Sequence, residues 1–196
     1  IGKHLANELS DRGCNLVLVS RNSPLHLSSQ RTLHILADVT REQEIQRVFS
    51  ETIRKFKKID VLINCVGVFK QSAIETVTSH DFDNLFSTNV KTAFLLSKNV
   101  IPYLKKAKSG HIVNIGSMIT HNPLVLPRRT LYTSSKAAIE GFSRALSQEV
   151  KKYGIKVTCI SPGTVNTYFS PSAPFYLPPE RVAHLIIMIL SFPDLD

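Results

Sequence analysis

Short uninterrupted apolar runs alternate along the chain with longer stretches whose apolar residues recur at helical spacing. Residues 15–20 (NLVLVS), 32–37, 59–64 (IDVLIN), 111–116 (HIVNIG) and 155–160 are of the first kind. Such runs suit strands covered on both faces, as in a parallel sheet. Between them, Leu5 and Leu9 share a face over residues 2–12, and Gly13 closes that turn. Thr40, followed by Gln43 and Glu44, predicts a capped helix that reaches Phe56. Residues 81–104 predict one long helix with Phe82, Leu85, Phe86, Val90 and Phe94 on its apolar side and Asn89 in its middle. A helix opening at Tyr132 is predicted to run to Lys152 with Gly154 as its stop, and Pro179 starts a last helix that ends near Ser191.

Strands alternating with helices predict an α/β fold, a doubly wound parallel sheet in three layers with ligands at the carboxyl ends of the strands. Ser20 and Arg21, Asp38 and Val39, Asn64 and Gly67, Ser117, and Pro162 and Gly163 all fall at such ends. The length, 196 residues, suits a single domain spanning 1–196.

Composition changes this picture little. With 43% apolar and 20% charged residues the chain reads as globular and not as a disordered tail. The formal net charge of +9 is spread in short clusters, at Lys55, Lys57 and Lys58, at Lys105, Lys106 and Lys108, and at Arg128 and Arg129. No aromatic-interleaved basic motif appears, so nucleic acid is not the expected partner, while an anionic phosphate-bearing ligand suits the charge. Cys14, Cys65 and Cys159 lie far apart and read as buried reduced thiols of a cytoplasmic protein, not as a disulfide framework or a metal site. The longest apolar run, residues 185–190, is too short to span a bilayer. The chain opens on Ile1, which leaves an N-terminal targeting segment or anchor open.

Candidate chemistry centres on Tyr132 and Lys136, four residues apart and therefore on one helical face. A free phenol titrates near about 10, too high for proton transfer at neutral pH. An ammonium roughly 4 Å away contributes on the order of 4 kcal/mol at an effective dielectric near 20, which is the right size of correction. Ser117 ends the preceding strand, where its hydroxyl can hold a carbonyl oxygen while Tyr132 delivers a proton. The same spacing also suits a half-buried ring and a solvated charge, so the pair needs support from other stretches.

That support comes from a resemblance over essentially the whole chain. Ser117 after VNIG, YTSSK from Tyr132 to Lys136, Asn64-Cys65-Val66-Gly67, Asn89 in STNV, and Pro162-Gly163 followed by Val165 and Thr167 stand in the order of the short-chain dehydrogenase/reductase family. The chain resembles that family, which implies a Rossmann-like fold and hydride transfer between a nicotinamide cofactor and a carbonyl or secondary alcohol carbon. The resemblance implies that Tyr132 is the general acid and base, and that Lys136 holds the nicotinamide ribose and lowers the tyrosine pKa. It further implies that Ser117 orients the substrate oxygen and that Asn89 supports a proton-relaying water. Ile1, Ser20, Arg21, Asp38, Val39, Asn64, Gly67, Tyr132, Lys136, Pro162, Gly163, Val165 and Thr167 would bind the cofactor. A neutral Ser20 followed by Arg21, a planar bidentate donor, favours NADP(H) over NAD(H), with Lys3 as a weaker helper.

Departures from the family pattern carry expectations of their own. The family begins with a strand and a Thr-Gly-x-x-x-Gly-x-Gly loop, of which Ile1 and Gly2 match the end. The resemblance therefore implies a fragment lacking the family's first and last strands. The sheet would then be incomplete at both ends of the sequence, with a gap of about 9 to 10 Å between the strands at residues 15 and 59. A non-catalytic relative that binds a nucleotide or a partner protein suits such a loop, but the intact Ser117, Tyr132 and Lys136 argue for the enzyme. The substrate is expected to be a small carbonyl or alcohol compound. Tyr168, Phe169, Phe175 and Tyr176 suggest an apolar one, and homo-oligomers are typical of the family.

Overall fold

The computed structural model describes residues 1–22, 27, 30–121, 127–166 and 176–191. Thr167, Tyr168, Phe169 and Phe175 lie outside the described residues. The chain divides into two compact units, Ile1–Lys58 with Val165–Asp196, and Ile59–Thr164.

In the first unit, β1 (Leu16–Ser20) and β2 (Thr32–Leu36) form a parallel ladder with Leu16 opposite Thr32 and Ser20 opposite Leu36. Ile35, Ala37 and Val48 are buried together, with Val17, Val19 and Leu33 packed against them. Val48 comes from α2 (Glu42–Phe56), so the helix after the ladder covers one of its faces. Its start differs from expectation. Arg41 is the N-cap and makes no side-chain cap bond, while Thr40 donates backward to Asp38 Oδ1 through both N (3.0 Å) and Oγ1 (2.7 Å). Glu44 reaches past the cap to accept from the Asp38 amide at 2.8 Å. Thr40 thus closes a short Asx-type turn one residue ahead of the N-cap position, in place of the capping box. The first helix, α1 (Gly2–Asp11), packs its buried Leu5 and Ala6 in this unit, as α6 (Pro179–Ser191) does its Val182, Ala183, Ile186 and Ile187. Histidine–glutamate pairs cross between these two helices, His4 to Glu180 at 3.3 Å and His184 to Glu8 at 3.1 Å.

In the second unit, β3 (Val61–Asn64), β4 (Gly110–Ile115) and β5 (Ile155–Ile160) form a parallel ladder in the order 3-4-5. Ile112 and Val113 of β4 are fully buried, as are Val100 and Leu104 of α4 (Thr92–Ala107). Helix α5 (Thr130–Val150) packs along β5, and Gly154 makes the return turn at φ +72°, where a Cβ would stand 2.5 Å from the Lys108 carbonyl oxygen. Only glycine meets both conditions without displacing main chain.

The single long helix expected over 81–104 is broken. An α-helix, α3 (Ser79–Phe86), opens on a Thr78–Asp81 capping box, passes through a π-turn at Ser87–Lys91, and continues as α4. A π-turn adds a residue to the turn and rotates everything after it. The buried face is Leu85, Thr88, Asn89, Thr92 and Ala93, while Phe82 before the turn and Phe94 after it, both expected inside, are 47% and 48% exposed. The cysteines also depart from expectation. All three are free, but Cys65 is exposed and Cys14 and Cys159 are only half-buried. No helix among the described residues is long and apolar enough to cross a membrane.

Candidate active site

Along α5 of the second unit, Tyr132, Lys136 and Glu140 follow one another at four-residue intervals and so form one stripe. Lys136 is 6% exposed and its Nζ donates to the Ile115 carbonyl at the end of β4, at 2.8 Å. Burial holds this ammonium below its ordinary pKa, against the opposing pull of Cys159 and Cys65. Ser117, just past the same strand, caps a short 3-10 turn and accepts from the Ile119 amide at 3.3 Å. Its hydroxyl also hydrogen-bonds the Tyr132 phenol.

The electrostatics of the phenol differ from the sequence expectation. Burial pushes Tyr132 above its ordinary value, and the Ser117 hydrogen bond and the positive charge of Arg129 offset that only in part. Lys136 is not among the groups that lower it. The reason is geometric: the ammonium is committed to the Ile115 carbonyl and stands 5.8 Å from the tyrosine ring centre. The spacing along the helix was legible, but where a flexible lysine head turns was not.

Asn89 lies in the π-turn, 3% exposed. Its Oδ1 accepts from the Val68 amide at 2.7 Å, and its Nδ2 donates to the Val68 carbonyl at 3.0 Å and to Ser135 Oγ at 3.1 Å. It therefore clamps the segment after β3 to α5. Asn64 turns elsewhere. Its Nδ2 donates to Asn114 Oδ1 at 2.7 Å across the β3–β4 pair, Asn114 Nδ2 donates to Ser143 Oγ at 2.9 Å, and Asn64 Oδ1 has no partner among the described residues. Past β5, the Pro162 carbonyl accepts from the Met118 amide at 2.9 Å, tying the Pro162-Gly163 segment to the Ser117 turn.

Glu140 was not singled out in the sequence. Its Oε1 accepts from Thr120 Oγ1 at 2.6 Å and from Ser161 Oγ at 2.8 Å, and Oε2 lies 3.3 Å from His121 Nε2. One carboxylate thus staples the segments that carry Ser117 and Pro162 to the helix that carries Tyr132. Its four-residue spacing from Lys136 is the signal that could have found it. Gly116 underlies this staple, since a Cβ there would stand 2.6 Å from Ser161 Oγ and 3.0 Å from Cys159 Sγ.

In the first unit the remaining candidates keep to strand ends. Ser20 closes β1, Arg21 follows it exposed, and Asp38 and the buried Val39 follow β2. Thr40's hydrogen bonds hold the Asp38 carboxyl below its usual range, with smaller contributions from Arg41 and Arg21. Ile1 is the N-cap of α1. Val165 bridges to Leu177.

A family model described as short chain dehydrogenase matches residues 1–174. The chain belongs to the short-chain dehydrogenase family. An uncharacterized oxidoreductase of Staphylococcus epidermidis is 30% identical over 203 residues, spanning 99% of this chain and 87% of that protein. A short-chain dehydrogenase of Streptomyces avermitilis superposes on all of this chain and 81% of its own, with a TM-score of 0.86 at 24% identity. The 3-ketoacyl-(acyl-carrier-protein) reductase of Brucella melitensis, solved with NADH, covers 96% of this chain and 85% of its own, with a TM-score of 0.88 at 21% identity. The fold is thus Rossmann-like α/β, and as a short-chain dehydrogenase the protein is an oxidoreductase.

The family's nicotinamide dinucleotide can be tested against the residues themselves. Among the described residues Lys136 spends one of three N–H donors, on Ile115, which leaves two for a ribose diol. Gly67 faces it, and a Cβ there would lie 3.8 Å from Lys136 Nζ and 3.5 Å from Asn89 Oδ1, so the glycine leaves that side of the ammonium bare. Buried donors beside an open backbone suit a sugar, and the residues fit the group.

Proposed function

We propose that this short-chain dehydrogenase is an NADP(H)-dependent oxidoreductase that interconverts a carbonyl and a secondary alcohol, with Tyr132 as its acid–base group. The observation that carries the reading is the Ser117–Tyr132 hydrogen bond with the buried Lys136 one turn along the same helix. A bound nicotinamide supplies the hydride in reduction and accepts it in oxidation. In reduction Tyr132 gives its phenolic proton to the carbonyl oxygen, and in oxidation it takes that proton back from the alcohol. Ser117 donates to the same oxygen and fixes its place against the phenol. Lys136 holds the ribose through the donors that Ile115 leaves free. Asn89 keeps the Val68 wall in place and supports the water that returns protons to Lys136.

Asn64, Gly67, Pro162 and Gly163 border the nicotinamide in this reading, and Val165 and Thr167 continue that segment. Ile1, Ser20, Arg21, Asp38 and Val39 serve the phosphate and adenosine parts, with Arg21 bidentate to the 2′-phosphate. The substrate's body is apolar where it passes Phe69.

Tyr132→Phe removes the proton donor and keeps the ring, so kcat for ketone reduction should fall by roughly 10²–10⁴-fold with little change in NADPH affinity. A Tyr132→Phe protein that reduces a ketone panel as fast as its parent overturns the reading. Arg21→Ala should raise the KM for NADPH at least tenfold more than that for NADH, and equal effects would remove the NADP(H) assignment.

A further inference from the structure

Beside the phenol sits a positive charge with one buried donor that the fold leaves unpaired. Arg129 is the N-cap residue of α5 and makes no side-chain cap bond. Its guanidinium carbon lies 5.5 Å from the centre of the Phe69 ring, and that ring meets Tyr132 edge-on at 4.9 Å. The guanidinium is near enough to the phenol to lower its pKa. Its Nε is buried without a hydrogen-bond partner. Among the described residues no carboxylate pairs with it, and the first turn of α5 holds no acidic side chain. Two carboxylates of this unit have partners elsewhere, Asp81 with Lys70 at 2.5 Å and Glu140 with His121, Thr120 and Ser161.

A solvated surface arginine would keep its nitrogens in water. This one sits over an aromatic ring and buries a donor. Backbone contacts fix the surroundings: Ser72 N donates to the Arg128 carbonyl at 2.8 Å, and Asn89 holds Val68. A buried donor left unpaired costs free energy, and a cation at a helix N-terminus is placed against the dipole. Both penalties are relieved by an anion, and a planar guanidinium takes a carboxylate through two parallel hydrogen bonds.

We propose that Arg129 receives a carboxylate of the carbonyl substrate, so that the enzyme acts on oxoacids whose apolar body passes Phe69 and whose acid end is held beside Tyr132. The proposal rests on the reading of Tyr132 as the acid–base group, and it deepens that reading by naming the substrate's second handle.

The test pairs each of pyruvate, acetoacetate, 4-oxopentanoate and longer oxoacids with its methyl ester, following NADPH consumption by the full chain. The parent should prefer the acid of at least one pair by roughly tenfold to a hundredfold in kcat/KM, the range expected of one charged hydrogen-bonded contact. Arg129→Ala should lose at least tenfold of that preference through the KM of the acid, and Arg129→Lys should regain part of it. A second arm needs no turnover: in the presence of NADPH, the preferred oxoacid should raise the melting temperature of the parent and of Tyr132→Phe, but not of Arg129→Ala. A parent that prefers the ester, or an Arg129→Ala variant that loses acid and ester rates equally, overturns the proposal. So does a parent that neither turns over nor is stabilised by any oxoacid. A Tyr132→Phe protein that stays fully active while the stabilisation arm holds would sink the acid–base reading and leave Arg129 as an oxoacid-binding residue.

Discussion

Tyr132 rests above its ordinary pKa, and the direction decides how each half of the reaction depends on pH. Reduction needs the phenol and oxidation needs the phenolate. With the folded value raised above the free value of about 10, the group is protonated throughout the neutral range. Ketone reduction should therefore be flat through neutral pH and fall only beyond about 10, while alcohol oxidation climbs over that same range. Ser117 pulls the phenol down, so Ser117→Ala should move both limbs to still higher pH, and a profile that moves the other way would show that the hydrogen bond favours the neutral form. Stability follows the same sign. A group that holds its proton more tightly when folded contributes stability that is present below the unfolded pKa and is lost as pH rises through the folded one. Alkaline unfolding should accordingly be less steep in Tyr132→Phe than in the parent. At this scale residue identities and spacing are legible beforehand, because covalent order sets them. The direction of the Lys136 ammonium and the approach of Arg129 to Phe69 depend on partners tens of residues away, which no local pattern records.

Among elements, the break between α3 and α4 matters most, because it places an amide where an unbroken helix would not. The π-turn at Ser87–Lys91 turns Asn89 inward, where its side chain satisfies both polar groups of Val68. The sequence could not announce this turn, since no proline or glycine marks it and the apolar residues on either side fit an ordinary helix when read separately. The error shows in Phe82 and Phe94, expected inside and found about half exposed. Replacing Asn89 by Leu leaves the Val68 amide and carbonyl unpaired in a half-buried place, at a cost of up to about 1–3 kcal/mol for each unsatisfied group. Urea unfolding of Asn89→Leu should show a loss of that order, and kcat should fall with it because Val68 precedes Phe69 at the Tyr132 ring. Asn89→Asp keeps the acceptor for the Val68 amide but loses the donor for its carbonyl. It should stand between Leu and the parent in urea at neutral pH. An Asn89→Leu protein as stable as the parent would mean that water takes over the Val68 groups and that the clamp is dispensable.

At the scale of the whole molecule, the five strands among the described residues and the helices around them, the α3–α4 break apart, were legible because buried parallel strands and amphipathic helices leave opposite periodicities in the chain. The division into two ladders, β1–β2 and β3–β4–β5, is what those periodicities alone do not report, since strand pairing is a long-range choice. Charge is the other property of the whole molecule with a consequence, and it separates a global effect from a local one. The net +9 attracts any dinucleotide, so NADH and NADPH should both bind more weakly as salt rises. Screening shortens from about 10 Å at 0.1 M to about 3 Å at 1 M, which removes the diffuse field before it removes a direct ion pair. Arg21, exposed after β1, would add a contact that only NADPH uses, in a field already softened by the neighbouring Asp38. Titrations over that salt range should therefore show two parts. One is a parallel weakening of both cofactors, which Arg21→Ala leaves in place. The other is an NADPH advantage that shrinks with salt but persists at the upper end, and that Arg21→Ala abolishes at every concentration. If the advantage instead disappears at high salt in the parent and survives in Arg21→Ala at low salt, the preference belongs to the distributed charge and not to Arg21.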